Sequence, residues 1–157
     1  MTEAIGLAAS GIAIGTLAAQ VTASAIKLKS YYDQLRDAPQ DLRDLIDELE
    51  ILGIVLSDIE NDQQQNPISS LILNSNSSSR CLKFCKQGAD RLDELVRGLS
   101  PALESDRGAR KGLASANLVF KKDRLENCKA TLERAIRLLM LSHQEYTSCL
   151  YAISLER

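Results

Sequence analysis

Leu42, Leu45, Ile46, Leu49, Leu52, Leu56 and Ile59 recur at steps of three and four residues, the spacing that lines one face of an α-helix. Asp41, Asp44, Asp47, Glu48 and Glu50 fill positions between them. The stretch therefore predicts an amphipathic helix from Gln40 to about Glu60 with an acidic, solvated outer face. The same stepping carries Cys81, Cys85, Leu92, Leu95, Val96 and Leu99 from Arg80 to near Ser100-Pro101. It returns from about Ser115 onward in Leu118, Leu125, Cys128, Leu132, Ile136, Leu139, His143, Tyr146 and Leu150. Upstream, Leu7, Ile14, Val21 and Leu28 repeat every seven residues with Leu17 between them, a stripe fit to pack on a soluble core. That first helix continues through Tyr31, Tyr32 and Leu35 to Asp37-Ala38-Pro39, where proline disfavours helix in the residue before it. Residues 61–79, with Gln63-Gln64-Gln65, Pro67 and the run Asn74 to Ser79, read as a long polar loop holding one docked apolar turn. Leu103 to Gly112 reads as a second connection. No window alternates with period two for long enough to make a sheet. The expected fold is all-α, an antiparallel helical bundle of four to five helices in one domain over residues 1–157.

The first helix, residues 1–30, departs from the others. Ala4 to Ile26 is a run of 23 residues without a charge, and at ~1.5 Å per residue it reaches ~34 Å, enough to cross a hydrocarbon core of ~30 Å. Its strong apolar residues are Ile5, Leu7, Ile12, Ile14, Leu17, Val21 and Ile26; alanines, glycines and polar residues make up the rest. At ~0.3–0.6 kcal/mol for each, the seven favour lipid by only ~2–4 kcal/mol, so the segment is a conditional membrane helix. A second stripe, of small residues, runs through Ala4, Ala8, Gly11, Gly15, Ala18 or Ala19, and Thr22. It contains the G-x-x-x-G pair Gly11 and Gly15, the spacing that lets helix backbones approach closely in lipid. An Ala-rich buried bundle helix accounts for the same pattern. A signal peptide is a third reading, since Ala23-Ser24-Ala25 mimics a cleavage site, but the stretch before it carries Glu3 and no Lys or Arg.

Charge sharpens this picture. Residues 1–26 carry −1, 27–62 carry −6, 63–113 carry +3 and 114–157 carry +2, for a net −2. Near-neutrality, with no Trp and two Phe, argues against nucleic acid. Two basic clusters, Lys27 with Lys29 and Lys121 with Lys122 and Arg124, are candidates for contact with anionic lipid head groups. An inserted first helix would keep Lys27 on the cytoplasmic side and send Met1 across, with only Glu3 to carry.

Candidate chemistry is sparse. His143 is the single histidine and falls on an apolar stripe, so it reads as a bundle residue and not as a base. Cys81 and Cys85 share a helix face, but C-x-x-x-C without a second pair is a poor zinc pattern; the four cysteines read as reduced, small hydrophobes. The acidic run Asp41 to Glu50 spreads carboxylates around a helix instead of converging them on a cation. Gly6, Gly11 and Gly15 lack the Lys-Ser/Thr of a phosphate-binding loop. The expectation is a non-enzymatic protein with no catalytic residues, no metal and no cofactor.

The opening "EAIGLAASGIAIGTLAAQVTASAIKL", the following "YYDQLRDAPQDLRDLIDELEILGIVLSDIE", the Cys81-containing helix and the closing "LENCKATLERAIRLLMLSHQ" resemble the fungal N-terminal domain of STAND proteins, of the HeLo-like group. The resemblance covers most of the chain and departs mainly in the Ser/Asn/Gln loop. It implies a cell-death effector of fungal nonself recognition and heterokaryon incompatibility, similar to the executioner bundle of the necroptosis pseudokinase. In such proteins oligomerisation releases the first helix from a cytoplasmic bundle into the plasma membrane. Gly6, Gly11 and Gly15 match the family's glycine-bearing first helix by position. The implied partners are anionic plasma-membrane lipids, further copies of the chain, and an upstream NLR-like sensor or amyloid signalling partner. A soluble homotypic interaction module that relays oligomerisation from such a receptor is the competing expectation. With neither a nucleotide-binding module nor an amyloid motif, the sequence reads as an excised domain.

Overall fold

A computed structural model describes residues 2–35, 38–65, 76–103 and 121–156, with the side chains of residues 2–13, 76, 100–103, 143, 145–147, 149 and 150 outside the described set. Four helices fill the described residues: α1 (Thr2–Asp33), α2 (Gln40–Gln65), α3 (Asn76–Leu103) and α4 (Lys122–Leu155).

Contacts between the helices fix their directions. On α1 and α2, Thr22 meets Gly53 and Gly15 meets Glu60, while Lys29 pairs with Asp47 and Glu50; the numbers run oppositely, so the two are antiparallel. On α3 and α4, Gly98 faces Lys121 and Gly88 faces Leu132, again antiparallel. Asp41 pairs with Lys122 and Glu48 with Lys129, the same seven-residue step on both helices, so α2 and α4 run parallel. The molecule is thus two antiparallel hairpins laid side by side, with α2 and α3 at opposite corners.

One core joins all four helices. Ile14, Val21 and Leu28 of α1, Leu42, Leu49 and Leu56 of α2, Leu92 and Leu99 of α3, and Leu125 and Leu132 of α4 are essentially inaccessible to water. These are the periodic positions of the sequence, and the heptad stripe of α1 joins them wherever its side chains are described.

Helix ends differ from expectation in four places. α1 stops at Asp33, short of Pro39, and Gln34 and Leu35 close it with N–H bonds to the carbonyls of Tyr31 and Tyr32 at 3.2 and 3.0 Å. The Tyr32 hydroxyl lies 3.2 Å from both the Ala38 and the Pro39 carbonyls, bracing the connection to α2. The glutamine run expected in a loop completes α2, because glutamine is a good helix former, and Gln63 is buried. Asn76 to Ser79 open α3, a place where Asn and Ser are favoured as much as in loops. α3 also continues past Pro101 to Leu103; in a last turn the missing N–H removes one bond and leaves the helix intact. The remainder of the expected loop, residues 66–75, and the connection 104–120 lie outside the described residues.

Cys81, Cys85 and Cys128 are reduced and buried. Burial pushes the Cys85 thiol up to about 12, and the same desolvation raises Cys81 and Cys128. A thiol raised on folding contributes stability that is complete below its unfolded value near 9 and disappears as pH rises toward 12. Urea denaturation should therefore show a loss of about 2 kcal/mol from Cys85 between pH 9 and 11. The check is the Cys85→Ala variant, whose stability falls less steeply over that interval than the wild type's.

Candidate functional site

Helix α1 is the candidate site, and its docking begins with shape. From Ile14 on, Ile14, Leu17, Ala18, Val21, Ala25 and Leu28 enter the core. Two described members of the small-residue stripe, Gly15 and Thr22, lie beside them and face α2. A Cβ built on Gly53 would sit 3.2 Å from the Thr22 nitrogen and 3.3 Å from its Cα, so only glycine lets the two backbones come this close. A Cβ on Gly15 would meet the Glu60 carboxylate, 2.8 Å from its Cδ. The first is a contact of backbone against backbone; the second meets the free end of a flexible side chain.

Polar clasps complete the dock. Lys29 sits 3.2 Å from both Asp47 and Glu50, and these two carboxylates raise its pKa. Arg43 reaches Asp33 at 3.3 Å with its guanidinium 5.6 Å from the Tyr32 ring centroid, a cation–π distance. Toward α3, the Gln20 amide donates to Asp90 at 3.0 Å, and this bond, with the nearby Lys86, holds the Asp90 carboxyl below its ordinary value. All these pairs are partly solvated, and exposed ion pairs contribute ~0–1 kcal/mol each. The acidic face of α2, expected to be merely solvated, is instead spent largely on α1 and α4.

The outer face of α1 is the unusual feature. Thr16, Ala19, Ala23 and Ile26 are exposed, Ile26 by 54%, and none is charged. Exposed positions on α2 include Asp41, Asp44, Glu48 and Asp58, and on α4 Arg124, Arg134 and Arg137. From Thr16 to Ile26 the outer face of α1 thus carries no charge, the first exposed charge being Lys27, whereas the outer faces of α2 and α4 mix charges with exposed Ile51, Ile54, Leu138 and Met140.

The expected site residues fall into three groups. Ile14, Gly15, Leu17 and Val21 are brought to the dock. Ala4, Ile5, Gly6, Leu7, Ala8, Gly11 and Ile12 lie on the helical backbone of α1, with their side chains outside the described residues. The basic candidates divide: Lys27 and Arg124 are exposed, Lys121 is half-buried, and Lys29 and Lys122 are engaged with carboxylates of α2. Gly53, Glu60, Gln20 and Asp90 were not legible as site residues, because each matters only through a partner on another helix. The side chain of His143 is outside the described residues.

Among the described residues no helix is long and apolar enough to cross a membrane; the uncharged run begins at Ala4, before the described side chains. No three His, Cys, Asp or Glu residues gather as a metal site among the described residues.

The family model described as pigment biosynthesis cluster protein PigL, N-terminal, matches residues 2–148. The chain belongs to this PigL N-terminal family. No curated protein and no solved structure matches it significantly. The match takes in α1 to α3 whole and most of α4, so the α1 dock lies entirely within the PigL N-terminal region.

Proposed function

We propose that this PigL N-terminal domain is a non-enzymatic, membrane-active effector whose first helix leaves the bundle on oligomerisation and permeabilises an anionic membrane. The uncharged outer face of α1 carries the reading. A helix that only served a soluble core would be expected to place charges among Thr16, Ala19, Ala23 and Ile26, as the outer faces of α2 and α4 do with Asp44, Asp58, Arg134 and Arg137. The resemblance to HeLo-like cell-death domains supports the same function, with a resting state in the cytoplasm, action at the plasma membrane and an NLR-like sensor or amyloid partner as the trigger.

Magnitudes dictate that a trigger is needed. Ile14, Leu17, Val21 and Leu28 are buried, and at ~1.5–3 kcal/mol each, uncovering their contacts on α2 and α3 costs on the order of 6–12 kcal/mol. The apolar residues of the segment return ~2–4 kcal/mol in lipid. A lone chain therefore keeps α1 docked. Oligomerisation tips the balance by covering the core surface that α1 leaves.

The second reading is a soluble homotypic interaction module, favoured by the full burial of Ile14, Val21 and Leu28. A reversible tether separates the two. Lys29 of α1 reaches Glu50 of α2 at 3.2 Å, so Lys29→Cys and Glu50→Cys can be joined across the two helices through a bis-maleimide whose spacer holds a disulfide. Dye release from anionic vesicles, driven by forced oligomerisation, is expected to vanish in the cross-linked variant and to return with reductant. Equal leakage in both states would show that α1 works without leaving α2.

A further inference from the structure

Between α3 and α4, on the hairpin that does not contain α1, lies a cleft of about 450 Å³. Among the described residues, Arg91 of α3 and Lys121 and Arg124 at the start of α4 bring three cations to its rim, against the carboxylate of Glu94. Buried Leu95 and Cys128 form its floor, and Asn127 adds an exposed amide. Sequence neighbours suggest a different grouping, with Lys122 beside Lys121. In the fold Lys122 turns to Asp41 on the opposite side of α4, and Arg91 takes its place.

Pairing leaves these cations open to a ligand, as it leaves Lys27, Arg80, Lys83, Arg134 and Arg137, none of which lines the cleft. Lys29, Arg43, Lys86, Arg97, Lys122 and Lys129 each have a carboxylate within 4.0 Å. Among the described residues Arg91, Lys121 and Arg124 have no such ion pair. Lys121 is also the N-cap of α4 and gives its first N–H groups no side-chain acceptor, so the positive end of the helix dipole adds to the same place. The cleft therefore concentrates positive charge over an apolar floor, and its size falls in the range of small-molecule sites.

We propose that this cleft binds a phosphate-bearing ligand with the dimensions of a phosphorylated sugar or polyol. Arg91 and Arg124 each offer a planar fork that matches two phosphate oxygens, and Lys121 adds a point charge between them and the helix end. The ligand's ring covers Leu95 and Cys128, and Asn127 takes a hydroxyl. A head group of a phosphorylated lipid and a free sugar phosphate share this chemistry. The proposal does not depend on α1 leaving the bundle, because the described residues that line the cleft belong to α3 and to the start of α4.

Calorimetry on the full chain at about 150 mM salt, where diffuse surface attraction is screened, tests it with inositol trisphosphate and inorganic phosphate as probes. The trisphosphate is expected to bind at least about tenfold more tightly than inorganic phosphate. Arg91→Ala and Arg124→Ala should each weaken it about fivefold or more, whereas Arg134→Ala, an equal loss of charge outside the cleft, should change it less than about twofold. All three residues are exposed, so the variants fold, as circular dichroism will verify. Vesicles of phosphatidylcholine with and without phosphatidylinositol phosphate then identify the source. Capture that needs the phosphoinositide and both arginines assigns the cleft to a head group, and soluble binding without capture assigns it to a free phosphate. Absence of trisphosphate binding, an equal loss in Arg134→Ala, or vesicle capture without soluble binding would overturn the cleft and leave only diffuse charge attraction.

Discussion

The double variant Ala19→Glu, Ala23→Lys is expected to fold like the wild type and to lose vesicle leakage by about a hundredfold or more. Both positions are exposed in the bundle, so neither new side chain enters the core. Placed four residues apart with the acidic one first, they form a favourable helical pair of ~0.3–0.5 kcal/mol, and the net charge of the chain is unchanged. Urea midpoints should then agree with the wild type within the ~0.5 kcal/mol usual for surface substitutions. The membrane sees the same change differently. Each charge near the middle of an inserted helix costs ~2.5–3.5 kcal/mol, about 5–7 kcal/mol for the two, less what their pairing recovers. Even half of that corresponds to a hundredfold change in an insertion equilibrium.

The experiment divides the two functional readings because only one of them asks α1 to enter lipid. Leakage that survives in a variant of unchanged stability would mean that residues 19–23 never leave water, and the soluble interaction module would stand. Truncating the chain ahead of Lys27 would not make this distinction. It would remove Ile14, Leu17, Val21 and Ala25 from the core and unfold the bundle whichever reading holds.

Patterns local to one helix were legible in the sequence, and patterns between helices were not. The stripe from Leu42 to Leu56 named buried residues of α2 in advance, and the heptad Ile14, Val21, Leu28 named those of α1, because burial follows helical periodicity. Gln63 escaped because composition marked it as low-complexity while its helix propensity and position placed it at a buried turn. The partnership of Gly53 with Thr22 escaped for a different reason. Thr22 reads as a member of the small-residue stripe and Gly53 as an unremarkable small position until the antiparallel register of α1 and α2 sets one against the other. Regrouping of the basic residues has the same origin: Lys121 and Lys122 are adjacent in sequence but lie on opposite sides of α4, facing α3 and α2.

That register carries the last prediction. Gly53→Val is expected to destabilise the bundle by about 2–3 kcal/mol, within the usual cost of overpacking, and to raise vesicle leakage by about tenfold or more. The added Cβ meets backbone atoms of Thr22 at 3.2 and 3.3 Å as well as its hydroxyl, and backbone cannot swing aside, so α1 and α2 must part along their length. The improved helix propensity of valine over glycine, a few tenths of a kcal/mol, does not offset this. Gly15→Ala is the contrast. Its new methyl meets only the Glu60 carboxylate, which can rotate into water, while replacing glycine by alanine gains up to ~1 kcal/mol of helix propensity; stability should hold or rise. If α1 must undock to act, leakage follows the strength of the dock, rising in Gly53→Val and steady or lower in Gly15→Ala. A Gly53→Val protein that loses stability without gaining leakage would mean that the active state keeps α1 on α2, and the small-residue stripe would then serve helix packing inside the bundle alone.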